Sequence, residues 1–258
     1  MNIVLELKRG ISAELYKYRR TFVLWLLVLA PAFVPIINFI ILFKKGDQII
    51  KEGQNAWEVL LGNTIQPGNF LFPFFVMVIA LFVNSVEHNS NTWKLIYTQP
   101  ISRLATFISK MKVYVLMVLF SLMLFAFFSL MVGYLLKVTS PELGFDQAFD
   151  KSLIFQACFK IFLASLGYAS LQFALSQKSK NLMLSMGIGI AGVISVMILM
   201  NGWEYADYHP YGYHIFALRD LGEDFNIWSN MTTVYRSLIV ALVVFGLSGW
   251  DMVRKRIV

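Results

Sequence analysis

Apolar runs of membrane-crossing length dominate this chain and leave it few folds to adopt. A helix that crosses the hydrocarbon core needs about 20 mostly apolar residues. Six stretches approach that length: 22–43, 70–86, 112–136, 152–176, 182–200 and 231–250. Lipid offers no partner to backbone N–H and C=O groups, so each stretch must satisfy its own by coiling into a helix. A membrane-spanning barrel would show short segments of alternating polarity instead, and these runs do not alternate. Charged residues make up 14% of the 258 positions and hydrophobic ones 58%, whereas a soluble domain carries about 25% charge. A water-soluble globule of this length has no means of hiding so much apolar surface. The expectation is an all-α integral membrane protein, a six-transmembrane-helix bundle with an N-terminal amphipathic interfacial helix, forming one domain over 1–258.

The runs differ in strength. The second is the weakest, because Pro73 and Asn84 shorten its clean core, and the fourth carries Gln156, Lys160 and Gln172. Polar groups inside a span are costly and need partners; the long stem of Lys160 is expected to reach the interface by snorkelling. The first run starts near Thr21, behind a basic segment. It is too long for a signal-peptide core and lacks a small-x-small cleavage site, so it reads as a retained anchor.

The formal charge of +7 sets orientation. Lys8, Arg9, Lys17, Arg19 and Arg20 precede span one. Lys94, Arg103, Lys110 and Lys112 lie between spans two and three, Lys178 and Lys180 between four and five, and Arg254, Lys255 and Arg256 after six. With six spans all four segments share one face and hold most of the 22 basic residues, which places both termini in the cytoplasm. Because the charges flank apolar runs, they point to the bilayer and not to nucleic acid. A single cysteine, Cys158, rules out an internal disulfide framework and a multi-cysteine metal site.

Within 1–20, Val4, Leu7, Ile11, Leu15 and Tyr18 recur at three- and four-residue steps while Arg9, Lys17 and Arg20 face away. That pattern predicts an amphipathic helix lying on the membrane, its cations near anionic lipid. The loop after span two runs from Glu87 through Asn89, Asn91, Trp93, Leu95, Ile96, Tyr97 and Pro100 to Ser102 and Arg103. Asn89 to Thr92 offer helix N-caps, Trp93 to Gln99 predict a short helix, and Pro100 ends it. Ser102 then caps the helix that becomes span three. The aromatic and aliphatic side chains of the short helix suit insertion into a groove on a partner.

This loop resembles the signature loop of type-2 ATP-binding-cassette (ABC) exporter permeases. In that family a glutamate closes span two, and a Thr-x-Pro-x-Ser-Arg segment, here Thr98, Pro100, Ser102 and Arg103, follows a coupling helix. The layout resembles the family over the whole chain and the motif over about 25 residues, and the size is similar to that of lantibiotic-immunity and bacitracin-resistance permeases. The resemblance implies a permease that exports an amphipathic substrate or antimicrobial peptide across a bacterial cytoplasmic membrane. It implies a second permease chain, identical or not, and an ABC ATP-binding subunit that holds ATP and Mg and pushes on residues 89–99. Glu87, Asn91, Trp93, Leu95, Tyr97, Pro100 and Arg103 are the candidate coupling residues. The chain itself has no G-x-x-x-x-G-K-[ST] phosphate loop, so ATP hydrolysis is expected on the separate subunit, and no catalytic residue is expected here.

The segment 201–230 is rich in aromatic and acidic residues. Tyr and Trp favour membrane interfaces, and the resemblance implies short amphipathic helices dipping into the outer leaflet before span six. Lys160, Trp203, Tyr205 and Trp228 are candidates for a substrate path or gate; an aromatic belt over an acidic rim is the plainer alternative. His209 and His214 with Glu204 and Asp207 fit no metal-ligand spacing. Gly187, Gly189 and Gly192 are placed to let helices approach closely. Two rival functions remain: an ATP-independent carrier, which needs paired charges or broken helices at mid-membrane, and a non-transporting sensor or immunity subunit that keeps the same coupling loop.

Overall fold

The computed structural model describes residues 3–19, 21–89, 102–179, 181–219 and 226–254. They form helices α1 (Ile3–Tyr18), α2 (Phe22–Ile49), α3 (Ala56–Asn89), α4 (Arg103–Thr139), α5 (Ser152–Lys178), α6 (Leu182–Leu199), a one-turn α7 (Tyr213–Phe216) and α8 (Thr232–Arg254), with short 3-10 turns in the connections. No strand occurs among the described residues. Five helices, α2, α3, α4, α5 and α8, are long and apolar enough to cross a membrane; α6 is apolar but shorter.

Local sequence explains where the helices begin. The Ser102 hydroxyl accepts from the Ala105 N–H and starts α4, while Asn181 Oδ1 accepts from Met183 and Leu184 N–H and starts α6. Each cap satisfies donors that a helix start leaves open. Helix α3 begins well before residue 70. It runs straight through Pro67 and Pro73, which neighbouring helices tolerate in a bundle. Its first turns are held from outside: buried Trp57 donates its indole N–H to the Phe145 carbonyl at 2.9 Å, and Asn38 Nδ2 donates to the Asn63 carbonyl at 2.8 Å.

The bundle has two ends. At one, α1, the end of α3, the starts of α2, α4 and α6, and the ends of α5 and α8 come together; Lys178 pairs with Asp251 there at 3.5 Å. At the other lie the connections α2–α3, α4–α5 and α6–α8. The core between them is built from Val76, Met77, Ala80 and Val83 of α3, Tyr114 and Val118 of α4, and Tyr168 and Phe173 of α5. Outward rows such as Phe33, Phe120 and Leu242 are left exposed, as suits a surface that meets hydrocarbon. Without a hydrophobic drive between helices in lipid, close packing and buried hydrogen bonds hold them. Asn84 Nδ2 donates to Ser176 Oγ at 2.7 Å, and the Gly167 N–H donates to Ser237 Oγ at 2.7 Å, joining α5 to α8.

One expectation gains detail here and another changes. Of the N-terminal stripe, Tyr18 is buried and Leu7 and Ile11 are partly covered, whereas Leu15 is half exposed; this face packs on α4 and the end of α3. Lys160 does not snorkel. It is 1% exposed, because a carbonyl is delivered to it from the connection before α8.

Candidate functional site: the terminus end and an aromatic plug

At the end that gathers both termini, α3 closes with Glu87 in its last turn and α4 opens with Arg103, which is partly buried. Asn91, Trp93, Leu95, Tyr97 and Pro100, with the short helix expected around them, lie outside the described residues. What the structure describes is the frame around that segment, and α1 clasps it on both sides. On the α4 side, the Ser102 N–H donates to Glu6 Oε2 at 3.4 Å. Ser109 Oγ donates to the Leu7 carbonyl at 3.4 Å, and Gly10 lies so close to Ser109 that no Cβ fits between them. On the α3 side, the Tyr18 hydroxyl lies 3.3 Å from both the Val83 carbonyl and Glu14 Oε2. Buried Glu14 also accepts from Lys17 Nζ at 2.5 Å. The end of α3 and the start of α4 are thus both joined to α1.

At the opposite end, the stretch from Tyr211 to Phe216 packs into the bundle, while residues 201–205 stay exposed. The Tyr211 ring lies against Gly192 of α6 and stacks on Tyr168 at 6.0 Å, and its hydroxyl accepts from Gln172 Nε2 at 2.5 Å. His214 is fully buried, 4.9 Å from the Tyr168 ring and 6.3 Å from Phe72. Its carbonyl accepts from Asn69 Nδ2 at 3.1 Å. Burial pushes the His214 imidazole down to about 3, so it is neutral, and neither ring nitrogen has a hydrogen-bond partner among the described groups. His209 is lowered by burial too. Its Nδ1 accepts from the Tyr211 N–H at 3.3 Å, which assigns the proton to Nε2, 3.2 Å from Ser195 Oγ. Outside this interior, Arg236 of α8 pairs with Asp207 and sits 3.7 Å over the Tyr208 ring.

The candidate gate residues divide. Lys160 Nζ donates to the Ile227 carbonyl at 2.6 Å, and the Trp228 indole donates to Gln156 Oε1 at 2.9 Å. Both pin the approach to α8. Trp203 and Tyr205 remain about half exposed, with ring centroids 6.0 Å apart. Trp203 also lines a polar cavity of about 750 Å³ with Glu204, Asp207 and Arg219. Sequence reasoning missed Asn69 and Tyr168, counted Tyr211 only among the aromatic residues of 201–230, and gave His214 no role beyond a rejected metal site. The readable signal was the glycine pair in α6: Gly189 makes room for Gln172 and Gly192 for Tyr211. No group of three or more His, Cys, Asp or Glu side chains among the described residues is placed to hold a metal ion.

The geometry is that of an apolar helical bundle in which α1 joins α3 to α4 at one end and aromatic side chains are packed between the helices at the other. No curated protein matches the chain. Residues 10–196 match the family model described as "ABC-2 family transporter protein", well over half of the 258 residues. The chain belongs to the ABC-2 transporter family, a membership that makes it the membrane component of an ABC transporter and implies an ABC ATP-binding subunit as its associate.

Proposed function

We propose that this chain is a permease subunit that exports an amphipathic substrate, with an antimicrobial peptide as the class favoured by the resemblance of its loop. A separate ATP-binding subunit docks on residues 89–99, binds ATP and Mg, and drives the cycle; a second permease chain completes the pathway. The single observation that carries this reading is the clasp of α1 across both edges of the docking segment, from Ser102 and Glu6 to Tyr18 and Val83. A push delivered between α3 and α4 is then shared by three helices and transmitted along α4, whose 37 residues extend about 55 Å.

In this reading the chain has six spans in a bacterial cytoplasmic membrane, with both ends in the cytoplasm and α1 at the interface. Helix α6 supplies the sixth span. Its 18 residues give about 27 Å, close to the ~30 Å core, and it must connect the terminus end to the plugged end. The Lys and Arg bias supports the orientation. The plug of Tyr211 and His214 is the outward gate in its closed state.

Co-purification tests this function. In mild detergent the chain retains a cassette ATPase, and Trp93→Ala or Tyr97→Ala weakens that retention. A preparation from the native membrane that never holds an ATPase contradicts it.

A further inference from the structure

The polar cavity of about 750 Å³ beside the aromatic plug is within the ~300–1,000 Å³ typical of ligand sites. It lies where α6 ends and α8 begins: Asn201 and Gly202 follow α6, and Thr232 and Thr233 open α8. The 23 residues of α8 give about 34 Å against a hydrocarbon core of ~30 Å. Its first turn, and the cavity with it, therefore stands at the level of the lipid head groups. Trp203, of a type that favours that level, is half exposed in the cavity wall.

Three charged side chains line the cavity, Glu204, Asp207 and Arg219. Asp207 is matched by Arg236. The side chains of Glu204 and Arg219 are exposed and make no ion pair or hydrogen bond among the described residues; the Arg219 guanidinium lies 5.9 Å from the Phe216 ring. One wall thus offers an anion and another a cation, and neither neutralises the other. A purely cationic guest would face Arg219 and a purely anionic one Glu204, whereas a guest of both signs meets each with its opposite. Thr233 adds a third contact. It is 6% exposed and lines the cavity, and its hydroxyl makes no hydrogen bond among the described residues, yet is not shielded as the unpartnered groups of the core are. So buried a hydroxyl calls for a partner, and the N-terminal turn that holds it favours an anionic one.

The same face of α8 continues from Thr232 as Tyr235, Ile239 and Leu242, all exposed, and three- and four-residue steps keep them in line. A lipid with its head group in the cavity lays its acyl chains along that row; a soluble zwitterion leaves the row unused. We propose that the cavity binds the head group of a zwitterionic phospholipid with a primary ammonium, the ammonium on Glu204 and the phosphate on Arg219 and the Thr233 hydroxyl. The Arg219 fork suits phosphate oxygens, and a primary ammonium donates hydrogen bonds to a carboxylate, which a trimethylammonium cannot. The binding does not rest on the export reading.

The test uses the full chain in nanodiscs of phosphatidylethanolamine, phosphatidylcholine and phosphatidylglycerol in equal parts. The chain is released for native mass spectrometry and the lipids it keeps are counted. The wild type keeps phosphatidylethanolamine several-fold over either of the others. Glu204→Gln lowers it to the phosphatidylcholine level, Arg219→Gln lowers both lipids together, and Thr233→Val weakens phosphatidylethanolamine to a lesser degree. Folding is checked by size exclusion, and the two exposed positions decide the result if Thr233→Val does not fold. Retention in the proportions of the disc, or a preference for phosphatidylethanolamine that survives both Glu204→Gln and Arg219→Gln, means annular lipid only and overturns the proposal. Competition identifies the source of the zwitterion. Short-chain phosphatidylethanolamine displaces the bound lipid at far lower concentration than glycerophosphoethanolamine, the same head group without acyl chains; equal displacement by the two makes the occupant a soluble zwitterion and overturns the lipid assignment.

Discussion

A matched pair of glycine substitutions in α6 isolates the docking of the aromatic plug. Gly187→Ala and Gly192→Ala add the same methyl group to the same helix, so both gain the same helix propensity, about 1 kcal/mol. At Gly187 nothing lies within 4 Å of the new Cβ; at Gly192 it meets the Tyr211 ring at 2.9 Å. That ring has little freedom to retreat, since Tyr168 stacks on it and Gln172 holds its hydroxyl. Overpacking of this kind costs about 1–3 kcal/mol, and because propensity cancels, the gap between the two variants should equal that cost. Reversible unfolding by SDS in mixed micelles measures it. Gly187→Ala should unfold at the wild-type concentration of SDS or above, and Gly192→Ala about 1–3 kcal/mol below Gly187→Ala. A stacked pair of midpoints, with no gap, would mean that Tyr211 is not seated against α6 and that the plug is loose.

Three further outcomes follow from the same geometry. His214 is held neutral with a folded value of about 3 against about 6.5 unfolded, so the unfolded chain binds the extra proton between those values. Stability is then full above pH 6.5 and falls by about 1.4 kcal/mol per unit as pH drops below it; His214→Asn removes that slope between pH 7 and 5.5, and an unchanged slope contradicts the burial. Lys160→Met strands the buried Ile227 carbonyl and should cost about 1–3 kcal/mol in the same SDS titration, whereas an unmoved midpoint would leave Lys160 free for another role. Ser102→Ala removes the cap of α4 and should cost about 1 kcal/mol; it should also reduce coupled ATPase activity, with Ser102→Thr restoring both, and full activity in the alanine variant would remove Ser102 from the transmission path.

The helices were legible because lipid forces a single backbone solution on long apolar runs, and there α2, α4, α5 and α8 agree with their sequence pattern to within a few residues at most ends. The first turns of α3 were not. Asn63, Thr64, Gln66, Pro67 and Asn69 look like a connection when read locally. They become helix because Asn38, Phe145 and His214, all distant in sequence, take up their polar groups or hold their neighbours. The aromatic plug was hidden for the same reason. Its aromatic residues are visible in sequence, but their seat is made by Gly192, Gln172 and Tyr168 on two other helices, and pairing of that kind leaves no mark at fixed spacing. Lys160 shows the limit of residue-type reasoning. A lysine in a span suggested a route to the interface, whereas the fold brings it a carbonyl 67 positions away. On the coupling side the motif was readable from Glu87 to Arg103, while the clasp by α1 was not, since the stripe of Leu7, Ile11 and Tyr18 serves a protein face as well as it would serve a membrane.

The most direct measurement asks from which side of the membrane the docking segment is reached. The native thiol, Cys158, is buried, so after Cys158→Ser a thiol introduced by Asn91→Cys reports alone. A membrane-impermeant maleimide should leave the Asn91→Cys chain unlabelled in intact cells and label it once they are permeabilised, with Tyr205→Cys labelled in both. Labelling of the Asn91→Cys chain from outside an intact cell would turn the bundle over and remove the ATPase from reach.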